Sequence, residues 1–494
     1  MRSKFVAVKD RYIEAAVTRL ALVSDKMGWV SGPRQVGRTT LAKRLLEQRG
    51  AGRYHNWDQL EFRRLWARTP GTALEVYPRP PGVRPLIVLD EIHKAPRWKQ
   101  TLKGLYDTRP EPLDLVVTGS ARLNVYQRGG DSMAGRYRHF RLHPFSVAEA
   151  IGNGPASPEE FQGRLASGDL PASADGQTAL ATLLEHGGFP EPFLAQDAAQ
   201  TRLWRRNRDE QVLREDLRDL SRVAEIGKAQ MLAVLLPERV GSLFSRNSLR
   251  EDIGVAFETL DRWLRGLELL YYVFEVRPYA RRVGLSLKKG GKLYLWEYTS
   301  VPSGPARFEN LVACHLLKAC HYWTDTGAGD FALWLLRDRE QREIDFLITR
   351  DGQPWLPIEV KQTATQPEPA WNKFLPTLAC PRALQLVQQG VPELAAQRFG
   401  PTRLARYRHG RAGVVLVGLR FRIGTTIAAG AIRRDVKAAR VVADEDAHQA
   451  LERPGRQYTD AQQETAERRY GTCLAVAGTD SFSAPKTEEI SAMR

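Results

Sequence analysis

The chain has 494 residues, of which 43% are hydrophobic and 26% are charged. This length exceeds the size at which one hydrophobic core keeps growing, so we expect two or more packed domains. The composition is typical of a folded globular protein and excludes global disorder. The formal net charge of +16 favours phosphate-bearing or anionic partners, although a diffuse solubilising surface explains it equally well.

The sequence predicts neither a zinc site, nor a disulfide framework, nor a membrane span. Its four cysteines have no C-x-x-C spacing, which fits a reducing compartment. Residues 1–10 lack a long apolar core, and Arg420 and Arg422 interrupt the apolar stretch at residues 413–432. We therefore expect a cytoplasmic protein that does not associate with a membrane.

Five regions follow one another along the chain. Residues 1–146 alternate short apolar runs with helical patterns, which is typical of an α/β domain with a parallel sheet. Residues 147–230 are mostly helical and predict a lid or connector. Residues 231–300 have the order of a winged helix, with helical periodicity, an alternating strand and a basic loop. Residues 301–400 predict a second, smaller α/β domain, and residues 411–494 a poorly packed or disordered tail.

A glycine-bent loop at residues 32–40 follows the apolar run at 27–30 and precedes a helical pattern at 41–46. This is the context of a P-loop, in which backbone N–H groups and the helix N-terminus hold phosphates and a hydroxyl, here that of Thr39, reaches Mg²⁺. An ordinary turn between a strand and a helix is the alternative. The residues predicted to bind nucleotide are Gly32, Pro33, Arg34, Gln35, Val36, Gly37, Arg38, Thr39 and Thr40.

Arg38 stands where a P-loop has lysine. Lysine meets the β- and γ-phosphates as a compact charge, whereas arginine is bulkier and forked. Arginine also binds phosphate, but hydrolysis depends on the placement of this charge. We therefore expect nucleotide binding to survive and hydrolysis to be slowed.

A second motif makes a chance P-loop improbable. The apolar run at residues 85–89 ends in Asp90 and Glu91. A strand of this kind places Asp90 beside the magnesium shell and Glu91 where it orients the attacking water. The expected ligands are thus ATP and Mg²⁺, with Thr39 and Asp90 as the metal residues.

Further catalytic residues are predicted near the γ-phosphate. The strand at residues 113–117 leads to Thr118 and Ser120, and a hydroxyl there senses phosphate or positions water, unless it only caps a turn. Arg136 is a candidate arginine finger, acting on a neighbouring subunit or in cis, and its alternative is a solvated arginine.

These motifs resemble a prokaryotic family of AAA+ ATPases with a C-terminal domain of unknown function that is similar to PD-(D/E)xK restriction endonucleases. The resemblance extends to about residue 390, and it implies ATP binding, a P-loop NTPase sheet of the AAA+ kind and a cytoplasmic location. Arg38 departs from the family pattern, and the sequence after Arg411 looks unlike it. Besides residues 32–40, the resemblance rests on Asn56-Trp57-Asp58, residues 89–94, 118–122, 143–146 and 187–192, Phe308-Glu309-Asn310, Glu343-Ile344-Asp345-Phe346 and Ile358-Glu359-Val360-Lys361.

The last of these motifs predict a possible second site. Asp345, Glu359 and Lys361 follow the order of the PD-(D/E)xK core, in which two carboxylates bind Mg²⁺ and lysine supports the attacking hydroxide. Glu309, on the preceding helix, completes the cluster. The same spacing also arises on a solvated strand, and related folds often lack cleavage activity.

Two basic segments are candidates for contact with DNA or RNA. The loop at residues 277–292 contains Arg281, Arg282, Lys288 and Lys289 at the expected wing. A solvated hairpin tip is its alternative. The second basic patch consists of Arg403, Arg406, Arg408 and Arg411.

The sequence therefore predicts an ATP-binding AAA+ module that couples nucleotide state to a winged-helix region and a nuclease-like domain. One alternative is a metal-dependent nuclease regulated by ATP. Another is a non-hydrolysing nucleotide switch or scaffold that recruits a protein partner. Oligomeric state and whether ATP is turned over do not follow from the sequence.

Overall fold

The computed structural model describes residues 10–76, 81–109, 111–119, 133–167, 173–218, 226–280, 290–363, 370–380, 382–389, 396–398 and 413–418. Several predicted features lie outside these residues. They are Ser120, the basic residues at 281–289, the patch from Arg403 to Arg411, and residues 419–494 of the predicted tail.

The amino-terminal part of the chain forms a five-stranded sheet. Its strands are β1 (Met27–Ser31), β2 (Gly52–Asn56), β3 (Leu86–Asp90), β4 (Asp114–Gly119) and β5 (Tyr137–Arg141). They are all parallel and lie in the order β2-β3-β4-β1-β5. This confirms the predicted α/β class.

Helices cover both faces of this sheet. The helices of this part are α1 (Glu14–Ala16, continued by Val17–Leu22), α2 (Arg38–Arg49), α3 (Leu60–Arg68) and α4 (Trp98–Asp107). Val30, Val88 and Val116 lie in one core with Leu41 of α2. Trp29, and the other buried strand residues that point to the opposite face of the sheet, lie in a second core with α3 and α4. Side chains alternate between the two covered faces along β1, β3 and β4, which are buried throughout, and this explains the uninterrupted apolar runs in the sequence.

A helical section follows the first sheet. Its helices are α5 (Val147–Ala150), α6 (Pro158–Ser167), α7 (Ala174–His186), α8 (Pro190–Ala195), α9 (Ala198–Glu210), α10 (Ile226–Leu235), α11 (Arg246–Ile253) and α12 (Phe257–Leu269). The apolar residues that predicted a packed helix, Leu260, Trp263, Leu264 and Leu267, are all buried on α12. An antiparallel pair then forms from β6 (Val273–Val276) and β7 (Lys292–Leu295).

The carboxy-terminal part contains a long helix and a six-stranded mixed sheet. Its elements are α13 (Pro305–Asp325), β8 (Phe331–Arg337), β9 (Glu343–Arg350), β10 (Gln353–Thr363), α14 (Ala370–Leu378), β11 (Arg382–Gln389), β12 (Ala396–Arg398) and β13 (Gly413–Gly418). The order is β12-β13-β11-β10-β9-β8. β13 lies inside the sheet, which differs from the tail predicted over residues 411–494, because its apolar run pairs with β11 and β12.

Two further observations concern the molecule as a whole. One continuous apolar core runs from Phe145 through the helical section and the β6–β7 pair to Leu384. In the part of the chain that the structure describes, no helix combines the length and apolar character needed to cross a bilayer.

Candidate functional site

The predicted P-loop connects the carboxyl end of β1 to α2, at the edge of the sheet where open parallel sheets bind ligands. Gly37 has a φ of 97° and precedes the first residue of α2. A Cβ atom at Gly32 would collide with the backbone carbonyl of Leu142. The two glycines are therefore required by backbone geometry, as the P-loop interpretation expects.

The two predicted magnesium residues lie side by side. The Thr39 hydroxyl donates a hydrogen bond to Asp90 Oδ2 at 2.7 Å. Thr39 is in the first turn of α2, whereas Asp90 is the last residue of β3, 51 positions further along the chain. The fold thus brings the glycine-bent loop and the acidic strand end to one place.

Asp90 is also held by two other hydroxyl groups. Tyr54 donates to Oδ2 at 2.6 Å and Thr118 donates to Oδ1. Burial first, and then the hydrogen bond to Asp90, raise the pKa of Tyr54. Thr118 was predicted to lie near the phosphate, but Tyr54 was not. The only signal for Tyr54 in the sequence is its place in β2, before the Asn56-Trp57-Asp58 strand end.

Arg38 is folded back into the loop. Its guanidinium donates to the backbone carbonyl of Gly32 and, at 2.9 Å, to Glu91 Oε1. Its side chain is 9% exposed. Lys94 Nζ lies 3.5 Å from Glu91 Oε2. The residue predicted to bind phosphate and the residue predicted to orient water therefore neutralise each other in this structure.

The remaining predicted loop residues occupy the turn itself. Arg34 forms an ion pair with Asp216 at 3.1 Å. Gln35 has a φ of 63°, and Val36 is fully buried. Thr40 is exposed next to Thr39 on α2, and the Pro33 carbonyl lies 3.4 Å from the Arg38 guanidinium.

Arg136 does not reach the P-loop of its own chain. It precedes β5, which runs parallel to β1, so it lies at the end of the sheet where the strands begin. The P-loop lies at the carboxyl ends of the strands, about 16 Å away across the length of a five-residue strand. Arg136 instead contacts Asp107 at 2.7 and 2.9 Å. This excludes the predicted action in cis, and action on a neighbouring subunit stays a prediction.

A buried ionic network lies under the P-loop. Arg11 donates to the carbonyl of Val36 at 2.7 Å and to Glu149 at 3.1 Å. Lys318 of α13 contacts the same carboxylate and donates to the carbonyl of Pro144 at 2.9 Å. Burial raises the pKa of Glu149, but the charges of Lys318 and Arg11 outweigh it and hold the pKa at about 2.

The four residues of the predicted second site also come together. The Val360 N–H donates to Asp345 Oδ2 at 2.9 Å, and Lys361 Nζ lies 2.8 Å from Glu359. Desolvation and the neighbouring Asp345 raise the pKa of Glu359 to about 7. Glu309 faces the same cluster from α13, through Lys292.

Lys292 is the residue that sequence reasoning missed here. Its Nζ lies 3.0 Å from Glu309, 2.7 Å from Glu343 and 3.2 Å from Asp345. Its side chain is 5% exposed. Among the described residues, no group of three or more His, Cys, Asp or Glu side chains is arranged to hold a metal ion.

Three successive parts of the chain match three different protein-family models. Residues 24–151 match the model described as an AAA domain. Residues 177–298 and 306–388 match two models that are each described as a domain of unknown function, DUF8612 and DUF4143.

Similar proteins include uncharacterized proteins of Mycobacterium bovis and Mycobacterium tuberculosis. Each is 23% identical over 363 residues, which cover 72% of this chain and 75% of the relative.

Among solved structures, the Aeropyrum pernix ORC1 protein in complex with DNA is 15% identical, covering 63% of this chain and 94% of that chain, with a TM-score of 0.29. The AMPPCP-bound DnaA from Aquifex aeolicus is 11% identical, covering 52% of this chain and 86% of that chain, with a TM-score of 0.24. The parallel sheet and the loop that it positions lie within residues 24–151, the part of the chain that matches the AAA domain model.

Proposed function

We propose that this protein is an ATP-binding AAA+ ATPase that uses Mg²⁺. The observation that carries the proposal is the 2.7 Å hydrogen bond between the Thr39 hydroxyl and Asp90. These residues come from two distant motifs, and a P-loop ATPase needs a hydroxyl and a carboxylate at the same point of its metal shell. An ordinary turn between a strand and a helix has no such requirement.

The residues present fit a magnesium nucleotide. Thr39 and Asp90 offer the hard oxygen atoms that Mg²⁺ prefers, and the backbone N–H groups at the start of α2 favour phosphate oxygens. When bound, Mg²⁺ neutralises charge on the phosphates. Tyr54 and Thr118 orient the Asp90 carboxylate, because each donates a hydrogen bond to it.

Arg38 is proposed to control turnover. Its 2.9 Å contact with Glu91 must break before Glu91 can orient a water molecule, whereas contact of Arg38 with the phosphates requires no such break. The forked guanidinium has hydrogen-bond donors for the phosphates and for Glu91 at the same time, whereas a lysine ammonium is a compact charge. Slow hydrolysis follows, since Glu91 stays partly engaged by a cation.

A non-hydrolysing nucleotide switch is the second candidate function. The same Arg38–Glu91 pair supports it, because an ATPase whose water-orienting carboxylate stays neutralised would bind ATP without cleaving it. In that case the nucleotide would control contact with a protein partner.

Phosphate release distinguishes the two. For the full chain with Mg²⁺ and ATP, we expect release above that of Glu91→Gln, with release also lost in Thr39→Ala. Release equal to that of Glu91→Gln would leave the switch as the function.

Coupling to nucleic acid is the finer part of the proposal. Helices α10–α12 followed by the β6–β7 pair have the element order of a winged helix, and the basic residues between the two strands would contact a phosphate backbone. The expected result is that DNA or RNA changes the rate of ATP hydrolysis in a salt-dependent way. An unchanged rate at low salt would argue against nucleic acid and for a protein partner.

A further inference from the structure

The acidic cluster of the carboxy-terminal part already contains a cation. Three carboxylates, those of Glu309, Glu343 and Asp345, lie within 3.2 Å of the Lys292 ammonium. With three N–H donors, an ammonium group can satisfy all three acceptors at once. Lys292 thus takes the central position that a divalent ion would occupy among the same oxygens.

The other charges of the cluster are matched as well. Glu359 contacts Lys361 at 2.8 Å, Glu343 contacts Arg337 at 2.5 Å, and the Tyr294 hydroxyl donates to Glu309 at 2.7 Å. Asp345 accepts the Val360 N–H with its second oxygen. Each carboxylate therefore has a cationic or hydrogen-bonding partner from the protein itself.

A magnesium ion does not fit this arrangement. Mg²⁺ takes oxygen ligands at about 2.0–2.1 Å and would have to displace an ammonium group that is almost fully buried. The Lys292 side chain has little access to water, so leaving the cluster would break its three ion pairs. Burial disfavours its charged form, but Asp345, Glu309 and Glu343 outweigh this and raise its pKa.

The partners of Lys292 come from different parts of the chain. Lys292 is the first residue of β7, in the antiparallel pair that follows the helical section. Glu309 belongs to α13, and Glu343 and Asp345 belong to β9. A single side chain consequently ties the β6–β7 pair to the helix and the sheet of the carboxy-terminal part.

We propose that Lys292 is the permanent counterion of the Glu309, Glu343 and Asp345 carboxylates, and that this cluster is an ionic joint that fastens the β6–β7 pair to the carboxy-terminal sheet. It is not a metal-dependent nuclease centre. The order of Asp345, Glu359 and Lys361 preserves the motif, while Lys292 replaces the metal. The joint is independent of whether the P-loop binds ATP.

Manganese binding tests the replacement directly. Mn²⁺ is titrated into the nucleotide-free full chain and into Asp345→Asn, and bound ions are counted by electron paramagnetic resonance. We expect the two proteins to bind the same number of ions, because Asp345 is committed to Lys292. One additional ion per chain in the natural protein, absent from Asp345→Asn, would overturn the proposal.

Thermal unfolding tests the joint. Lys292→Met should lower the unfolding midpoint by several degrees, because it leaves three carboxylates around an uncharged side chain. The matched control is Lys373→Met, an exposed lysine on α14, which should leave the midpoint unchanged. Adding Asp345→Asn to Lys292→Met should restore part of the loss, since it removes one of the uncompensated charges.

Two outcomes of the unfolding experiment contradict the joint. One is a Lys292→Met midpoint equal to that of Lys373→Met. The other is a double variant whose loss equals the sum of the two single losses, because independent residues behave additively. If Lys292→Met does not fold, the manganese titration decides, since it needs only the natural chain and Asp345→Asn.

Discussion

Asp90 receives hydrogen bonds from three hydroxyl groups, those of Thr39, Tyr54 and Thr118, and is only 1% exposed. A buried carboxylate of this kind is costly unless it is satisfied. Because the donors come from three different elements, Asp90 has a fixed orientation before any ligand arrives. Such preorganisation is what a metal-nucleotide site requires.

Replacement of Arg38 by lysine tests the role of this residue in turnover. Lysine has one compact charge and cannot hold the carbonyl of Gly32 and the Glu91 carboxylate in the same forked way. We expect Arg38→Lys to raise the rate of phosphate release about tenfold or more, because lysine provides the charge placement that phosphoryl transfer favours. The measurement is steady-state phosphate release at saturating MgATP.

Glu91→Gln in the Arg38→Lys background is the control, and it should remove the gain. A rate for Arg38→Lys at or below that of the natural chain would show that arginine is not what limits hydrolysis.

Replacement of Glu149 by glutamine tests the buried network under the P-loop. The pKa of Glu149 is about 2 when folded, below its usual value of 4.5. A lowered pKa contributes stability that is present above pH 4.5 and is lost as the pH falls towards 2. The ionised carboxylate should contribute about 3 kcal/mol.

Urea unfolding of the natural chain and of Glu149→Gln provides the measurement. Their difference in unfolding free energy should shrink as the pH falls below about 4.5. Glu160→Gln, which affects an exposed ion pair with Arg164, should show almost no difference. A Glu149→Gln difference that does not change between pH 7 and pH 3 would contradict the assignment.

At the same scale, the sequence predicts one part of the site well and another part poorly. Gly32, Gly37, Thr39, Asp90 and Glu91 follow from local motifs, in which a few adjacent residues carry the chemistry. By contrast, the contacts of Arg11 with the P-loop and of Lys292 with the acidic cluster join residues that are far apart in sequence. Only the fold determines such pairs.

At the scale of elements, the apolar runs locate strands of the amino-terminal sheet. The runs at residues 27–30, 85–89 and 113–117 correspond to β1, β3 and β4, because parallel strands buried on both faces are apolar throughout. The order β2-β3-β4-β1-β5 could not be read in the same way. Pairing between strands is non-local, and no sequence period specifies which strand lies between which others.

The position of β5 determines what Arg136 can do. Because Arg136 precedes this strand, it lies at the sheet edge away from the P-loop and pairs with Asp107. We expect Arg136→Ala to leave the affinity for MgATP unchanged. If it acts on a neighbouring subunit, the variant lowers the rate of phosphate release only at protein concentrations at which the chain oligomerises.

Nucleotide titration together with phosphate release over a range of protein concentrations checks this prediction. A weaker MgATP affinity for Arg136→Ala at low protein concentration would contradict the placement at the opposite edge. Asp107→Asn removes the partner and serves as the matched control for loss of the ion pair alone.

At the scale of the whole molecule, regions that the sequence predicts as separate are joined by a common apolar core and by ionic contacts. One apolar core spans the helical section, the β6–β7 pair and the carboxy-terminal sheet. Lys318 on α13 also reaches Glu149, which contacts Arg11, which in turn holds the Val36 carbonyl of the P-loop. A continuous set of contacts therefore connects the P-loop to α13.

Hydrogen exchange tests whether these contacts transmit nucleotide binding. With MgATP we expect slower exchange in residues 32–40 and also in α13, more than 100 residues beyond the AAA domain match. Arg11→Lys should keep the first effect and weaken the second, since lysine cannot bond to both Val36 and Glu149 in the same way. Protection confined to residues 32–40 in the natural chain would contradict coupling through α13.

We expect the P-loop and the acidic end of β3 to bind one magnesium nucleotide together. Isothermal titration of MgATP into the full chain measures this most directly, compared with Thr39→Ala and with Thr178→Ala, an exposed threonine on α7. We predict one binding site per chain in the natural protein and in Thr178→Ala, and at least tenfold weaker binding in Thr39→Ala. Equal affinity in Thr39→Ala and the natural chain, or no binding to either, would contradict a shared magnesium-nucleotide site.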